Sequence, residues 1–64
     1  MKAGFLVKHP MFGVGIVMEV QPNGYPLVVR FYRPVVNHFG SRAVHVDKVN
    51  NLVWIDRQNV EVIK

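Results

Sequence analysis

The residues of this chain that could do chemistry are three histidines, the single serine Ser41 and the aspartate Asp47. His9, His38 and His45 could offer imidazole nitrogens to a metal, but no two are closely spaced and there is no cysteine to complete a ligand set. A chain folded about Gly40-Ser41 would place His38 opposite Ala43 and His45 opposite Val36, so these two histidines are not expected to meet. His45 and Asp47 are two apart and would share one face of a strand, with Ser41 nearby in sequence. A hydrolase would need that serine on a nucleophile elbow, and it stands at a turn instead. The chain reads as non-enzymatic, with no metal and no cofactor.

A different chemistry is carried by Arg30, Tyr32, Arg33 and Arg42. Guanidinium forks grip phosphates and an exposed aromatic stacks on an unpaired base. His38 and Phe39 lie in the stretch between Arg33 and Arg42 and join this set. Eight Lys/Arg against four Asp/Glu give a net charge of +4, which favours an anionic partner such as nucleic acid. The competing reading is a solvated sheet face whose arginine stems simply snorkel to water. No glycine-rich phosphate loop or recognition helix accompanies the set.

These side chains need elements to position them, and length allows few. At 64 residues, half of them apolar, the chain reads as one small packed domain, 1–64. Without cysteines its stability comes from packing or from a partner. Pro10 and Gly13 cut short the only N-terminal apolar run. No stretch approaches a signal-peptide core or a membrane span, so a cytoplasmic protein is expected.

Gly4 to Val7 reads as a first strand. Val14 to Val20 follows as a second strand, with Val14, Ile16, Met18 and Val20 on one face and both faces partly buried. Asn23-Gly24, flanked by Pro22 and Pro26, predicts a tight hairpin. Leu27 to Arg33 returns from it, with Leu27, Val29 and Phe31 inward and Val28, Arg30 and Tyr32 outward. Pro34 stops that strand. Residues 34–47 predict a protruding hairpin arm with its tip at Gly40-Ser41, whose Val35, Val36 and Phe39 must be covered by the domain or by a partner. Leu52 to Ile55 is a strand whose Trp54 is expected in the core. Asp56 to Asn59 predicts one helical turn capped by Asp56, and Val60 to Ile63 closes the chain as a last strand.

The stretch His9-Pro10-Met11-Phe12-Gly13-Val14-Gly15-Ile16-Val17 organises this layout. Its two glycines have a structural use in a turn and a close strand approach, and Phe12 is placed to plug one end of the core. Five or six strands, Gly-x-Gly after the first and one helical turn before the last resemble an SH3-like barrel. Val7 to Val17, then Asn23-Gly24 and Val28-Val29-Arg30-Phe31, resemble the Tudor-like modules of bacterial DNA-repair helicases. The same residues are similar to the polymerase-interaction domains of CarD-type regulators and transcription-repair coupling factors. The resemblance covers the first half of the chain, and residues 34–47 depart from the helicase pattern. It implies an all-β binding module that docks on RNA polymerase, a helicase or nucleic acid. The alternative from another class is a small structural protein, viral for example, that forms homo-oligomers through the 34–47 arm and a sheet edge.

Overall fold

A computed structural model describes residues 2–22 and 26–63. The protein is all-β, and its described residues form six antiparallel strands in one sheet: β1 (Leu6–His9), β2 (Gly13–Val20), β3 (Leu27–Phe31), β4 (His45–Asp47), β5 (Leu52–Ile55) and β6 (Glu61–Val62). Their spatial order is β4-β5-β3-β2-β1-β6, so β4 and β6 are the edges and the sheet is not closed. A 3-10 turn, Arg57–Asn59, precedes β6. No helix among the described residues is long and apolar enough to cross a membrane. The predicted Asn23-Gly24 turn lies outside the described residues, but Val20 pairs with Leu27 on either side of it.

The core is one face of this sheet. Cross-strand rows run Val7–Gly15–Phe31, then Val17–Val29–Val53–Val46, then Val20–Leu27–Ile55. Val7, Val17, Leu27, Val29, Val53 and Ile55 are sealed from solvent, each removal from water being favourable by about 1.5–3 kcal/mol. In β2 the buried phase belongs to Gly13, Gly15 and Val17, while Val14 and Met18 are exposed. A bulge then shifts the register: Val17 pairs with Val29 and Glu19 with Val28, which leaves Met18 as the extra residue. The bulge lets Val20, on the opposite phase in sequence, pack against the core.

Gly15 leaves no room for a side chain between β2 and β3. A Cβ there would lie 2.7 Å from Val29 Cγ1, 2.8 Å from Phe31 Cδ1 and 3.0 Å from the Arg30 carbonyl. Gly13 has φ +82, a left-handed backbone that favours glycine, and the Arg33 guanidinium covers it.

Several expectations need correction. Residues 34–44 form no strand; they cross the end of the sheet as a loop, with Val35 and Ser41 buried and Ala43 against the core. The projecting hairpin therefore does not form, because β4 takes β5 as its partner and Val35 is worth more inside the core than on an arm. Val28 is buried although it lies on the outer face, where it sits between Glu19 and Trp54. Trp54 is only half-buried on that same face, its ring edge-on to His45 at 4.8 Å. Asp56 does not cap the 3-10 turn with its side chain; its Oδ1 is buried without a partner among the described residues.

Candidate nucleic-acid interface

The end of the sheet carrying loop 32–44 is built from buried polar contacts that begin at His9. That imidazole is only 4% exposed and stacks on Phe12 at 4.6 Å, with Phe31 edge-on beyond. Its Nδ1 accepts the backbone N–H of Met11 (3.0 Å) and Phe12 (3.4 Å), which closes the turn Pro10 begins. A nitrogen that accepts cannot carry a proton, so the hydrogen sits on Nε2 and is donated to the Ser41 carbonyl at 3.2 Å. One ring thus ties the β1–β2 turn to the loop.

Ser41, 3% exposed, passes the restraint on. Its Oγ donates to the His38 carbonyl at 2.6 Å and accepts the Ala43 N–H at 3.3 Å, and its N–H also reaches the His38 carbonyl at 3.1 Å. The other end of the loop is held by Asn51, at φ +58 in the last position of the β4–β5 turn. Its amide nitrogen donates to the Phe31 and Arg33 carbonyls, and its Oδ1 accepts Val35 N–H at 2.7 Å. Lys48 Nζ donates to the Val36 carbonyl at 3.2 Å.

Burial holds the His9 pKa below its ordinary 6.5, and the Ser41 carbonyl opposes that shift. Protonation at Nδ1 would set an N–H against two N–H donors. A lowered folded value means that His9 contributes stability fully above about pH 6.5 and loses it as pH falls through the folded value. The urea midpoint of the wild type is expected to drop as pH falls below 6.5, whereas a His9→Gln variant shows no such step. Asp47 acts in a separate window. Hydrogen bonds from the Asn50 side chain and backbone and from Val49 hold its carboxyl below its ordinary 3.8. Its contribution is present above about 3.8 and is lost as pH falls through the lowered folded value. A midpoint indifferent to pH between 7 and 5 would contradict the His9 contacts.

The six residues singled out from sequence divide between two surfaces. Arg30 stands on the outer face of the sheet in a row with Ile16, Leu52 and Asp47, and Tyr32 continues that phase, 67% exposed. Arg33 and Arg42 belong to the loop end. Arg33 lines a groove with Met11, Phe12, Pro34, Val36 and Asn37, and Arg42 lines a second with His9, Pro10, Met11, Gly40 and Ser41. The two grooves share Met11. His38 and Phe39 are exposed on the loop between them, Phe39 at 89%. Strict alternation along Leu27 to Arg33 would turn Arg33 inward, with its long stem still able to reach water at the strand's end; it is exposed because β3 ends at Phe31 and the alternation ends there.

Two contributors are not evident from the sequence. Asn51 reads there as part of a polar turn; an Asn at the end of a hairpin loop, where left-handed backbone is common, is the available signal. Lys48 gives no signal, since its place beside Val36 exists only once the loop crosses the sheet end.

Among the described residues no three His, Cys, Asp or Glu side chains are grouped to hold a metal. Ser41 Oγ is engaged with the His38 carbonyl and His45 packs on Trp54, so the serine, His45 and Asp47 form no relay. No family model, no curated protein and no solved structure matches the chain. The reading of its role therefore rests on this surface.

Proposed function

We propose that the protein is a non-enzymatic binding module of nucleic-acid transactions, its sheet rolled as an SH3-like barrel. Support for the rolled form is physical. One sheet with one buried face and no second layer has to curl to cover its core, and the molecule measures 26 × 21 × 20 Å. The resemblance of its first half to polymerase-docking and helicase modules adds RNA polymerase or a helicase as the protein it would work beside.

One observation carries the binding reading. Residues 20–46 contain Arg30, Arg33 and Arg42 and not one Asp or Glu, and this same stretch exposes Tyr32 and Phe39. The four carboxylates stand at 19, 47, 56 and 61. A stretch that brings guanidinium groups and aromatic rings to the surface without a carboxylate of its own suits phosphates and unpaired bases, although Asp47 shares the cross-strand row of Arg30.

The test is oligonucleotide binding by fluorescence anisotropy at rising salt. The affinity is expected to fall steeply with salt. Arg30→Glu with Arg33→Glu should weaken binding at every salt and flatten the slope by about 0.7 for each phosphate of a single strand that is no longer neutralised. A second reading, self-association, is favoured by the exposure of Val36, Val44, Val49 and Phe39 together with two open sheet edges. A salt-resistant oligomer with no affinity for oligonucleotide, measured by light scattering, would replace the first reading with this one.

A further inference from the structure

The tip of the loop is a built turn. His38 C=O accepts Ser41 N–H at 3.1 Å, and Gly40 at the third position has φ +78 while Phe39 at the second does not have positive φ. These are the marks of a type II turn, whose third residue needs positive φ and so favours glycine. The Asn37 side chain accepts the Phe39 N–H at 3.0 Å, which fixes the approach. Ser41 anchors the exit through three hydrogen bonds inside the loop and a fourth to His9, all from a buried position. This restraint presents a phenyl ring that is 89% exposed, when leaving it in water forgoes the gain of burying it.

We infer that Phe39 is a stacking platform for an unpaired base, so that the nucleic acid taken by this module is single-stranded. This rests on the nucleic-acid reading and names its ligand. The chemistry around the ring selects that ligand over an apolar protein pocket. His38 precedes it, Arg42 follows one residue beyond the turn, Arg33 lines a groove with Val36, and Lys48 reaches the Val36 carbonyl from the β4–β5 turn, where it follows Asp47; the loop itself carries no carboxylate. A strand threading past the turn lays phosphates on the cations and one base on the ring. Every base has a face to offer, so the contact tolerates sequence. A duplex hides those faces in its stack, and the described residues include no long helix to enter a groove.

The experiment compares three labelled probes by anisotropy at low salt: (dT)12, a 12-mer of abasic sites with the same phosphates, and a 12-bp duplex. The wild type is expected to bind (dT)12 about 5- to 150-fold more tightly than the abasic strand. Phe39→Ala, at a position too exposed to disturb folding, should bring (dT)12 down to the abasic level without changing abasic binding, and Phe39→Tyr should restore the difference. Equal binding of (dT)12 and the abasic strand, insensitive to Phe39→Ala but abolished in Arg33→Glu with Arg42→Glu, overturns the platform and leaves the nucleic-acid reading standing. Tighter binding of the duplex than of (dT)12 also overturns it. No binding to any probe overturns both, and a homo-oligomer dissolved by Phe39→Ala would then assign the ring to contacts between copies.

Discussion

Gly15→Val is expected to leave no folded protein. The first atom of any side chain at this position would lie 2.7 Å from Val29 Cγ1 and 2.8 Å from Phe31 Cδ1, with the Arg30 carbonyl at 3.0 Å behind them. None of the three can retreat cheaply. Val29 is fully buried in the middle of the sheet, Phe31 is wedged against Phe12 at 5.0 Å, and the carbonyl is backbone. Overpacking of this kind costs about 1–3 kcal/mol for small insertions and more for branched ones. A domain of this size has only about 3–5 kcal/mol to lose. Gly15→Ala should therefore fold with a markedly lowered urea midpoint, and Gly15→Val should give the circular dichroism of an unfolded chain. A Gly15→Val protein with a wild-type midpoint would mean that β2 and β3 do not approach this closely.

Asn51→Ala is expected to cost about 3 kcal/mol. Three hydrogen bonds from one side chain hold residues 31–35, at about 1 kcal/mol each, and without them the Phe31 and Arg33 carbonyls and the Val35 N–H must find other partners. Alanine also tolerates the φ of +58 at this position less well than asparagine does. For a domain of this length the corresponding fall in melting temperature is about 12–24 °C. Asn51→Gly separates the two contributions: it accepts the backbone and forfeits only the hydrogen bonds, so its stability should fall between wild type and alanine. The same variants should loosen Arg33 and Val35, which calorimetry and hydrogen exchange at the Val35 amide would both register. A melting temperature within a few degrees of wild type for Asn51→Ala would show that the loop is held by something else.

The strands are the most legible part of the sequence because their signals are local. Leu52 to Ile55 reads as a strand and forms one, and alternation alone assigns Leu27, Val29 and Phe31 to the core they occupy. The corrections fall where the outcome depends on a distant segment. Two equally apolar phases in β2 cannot be ranked without knowing that Gly15 faces Phe31 and that a bulge at Met18 reverses the phase afterwards. The hairpin expected over 34–47 matches its own pattern of apolar residues and a glycine turn, yet β4 pairs with β5 and leaves residues 34–44 to cross the sheet end. Of the candidate site, the residue types are legible and their grouping is not. Arg30 and Tyr32 stand on the outer face, apart from the grooves of Arg33 and Arg42, because β3 ends at Phe31 and the chain turns.

Neighbours along the chain suffice to specify an all-β protein of short strands, a net charge of +4 and a long stretch free of carboxylates, since alternation, turn residues and charge are local properties. Folding in three dimensions settles which face of each strand is buried, and that His9 and Asn51 hold a loop whose anchored residues lie 32 and 16 positions away in sequence. It also settles that Phe39 stands out on a fixed turn. The buried faces and the anchoring of the loop depend on hydrogen bonds and contacts between segments that become neighbours only when the sheet forms, whereas the turn at Phe39 is closed by local hydrogen bonds and only its place against His9 is tertiary.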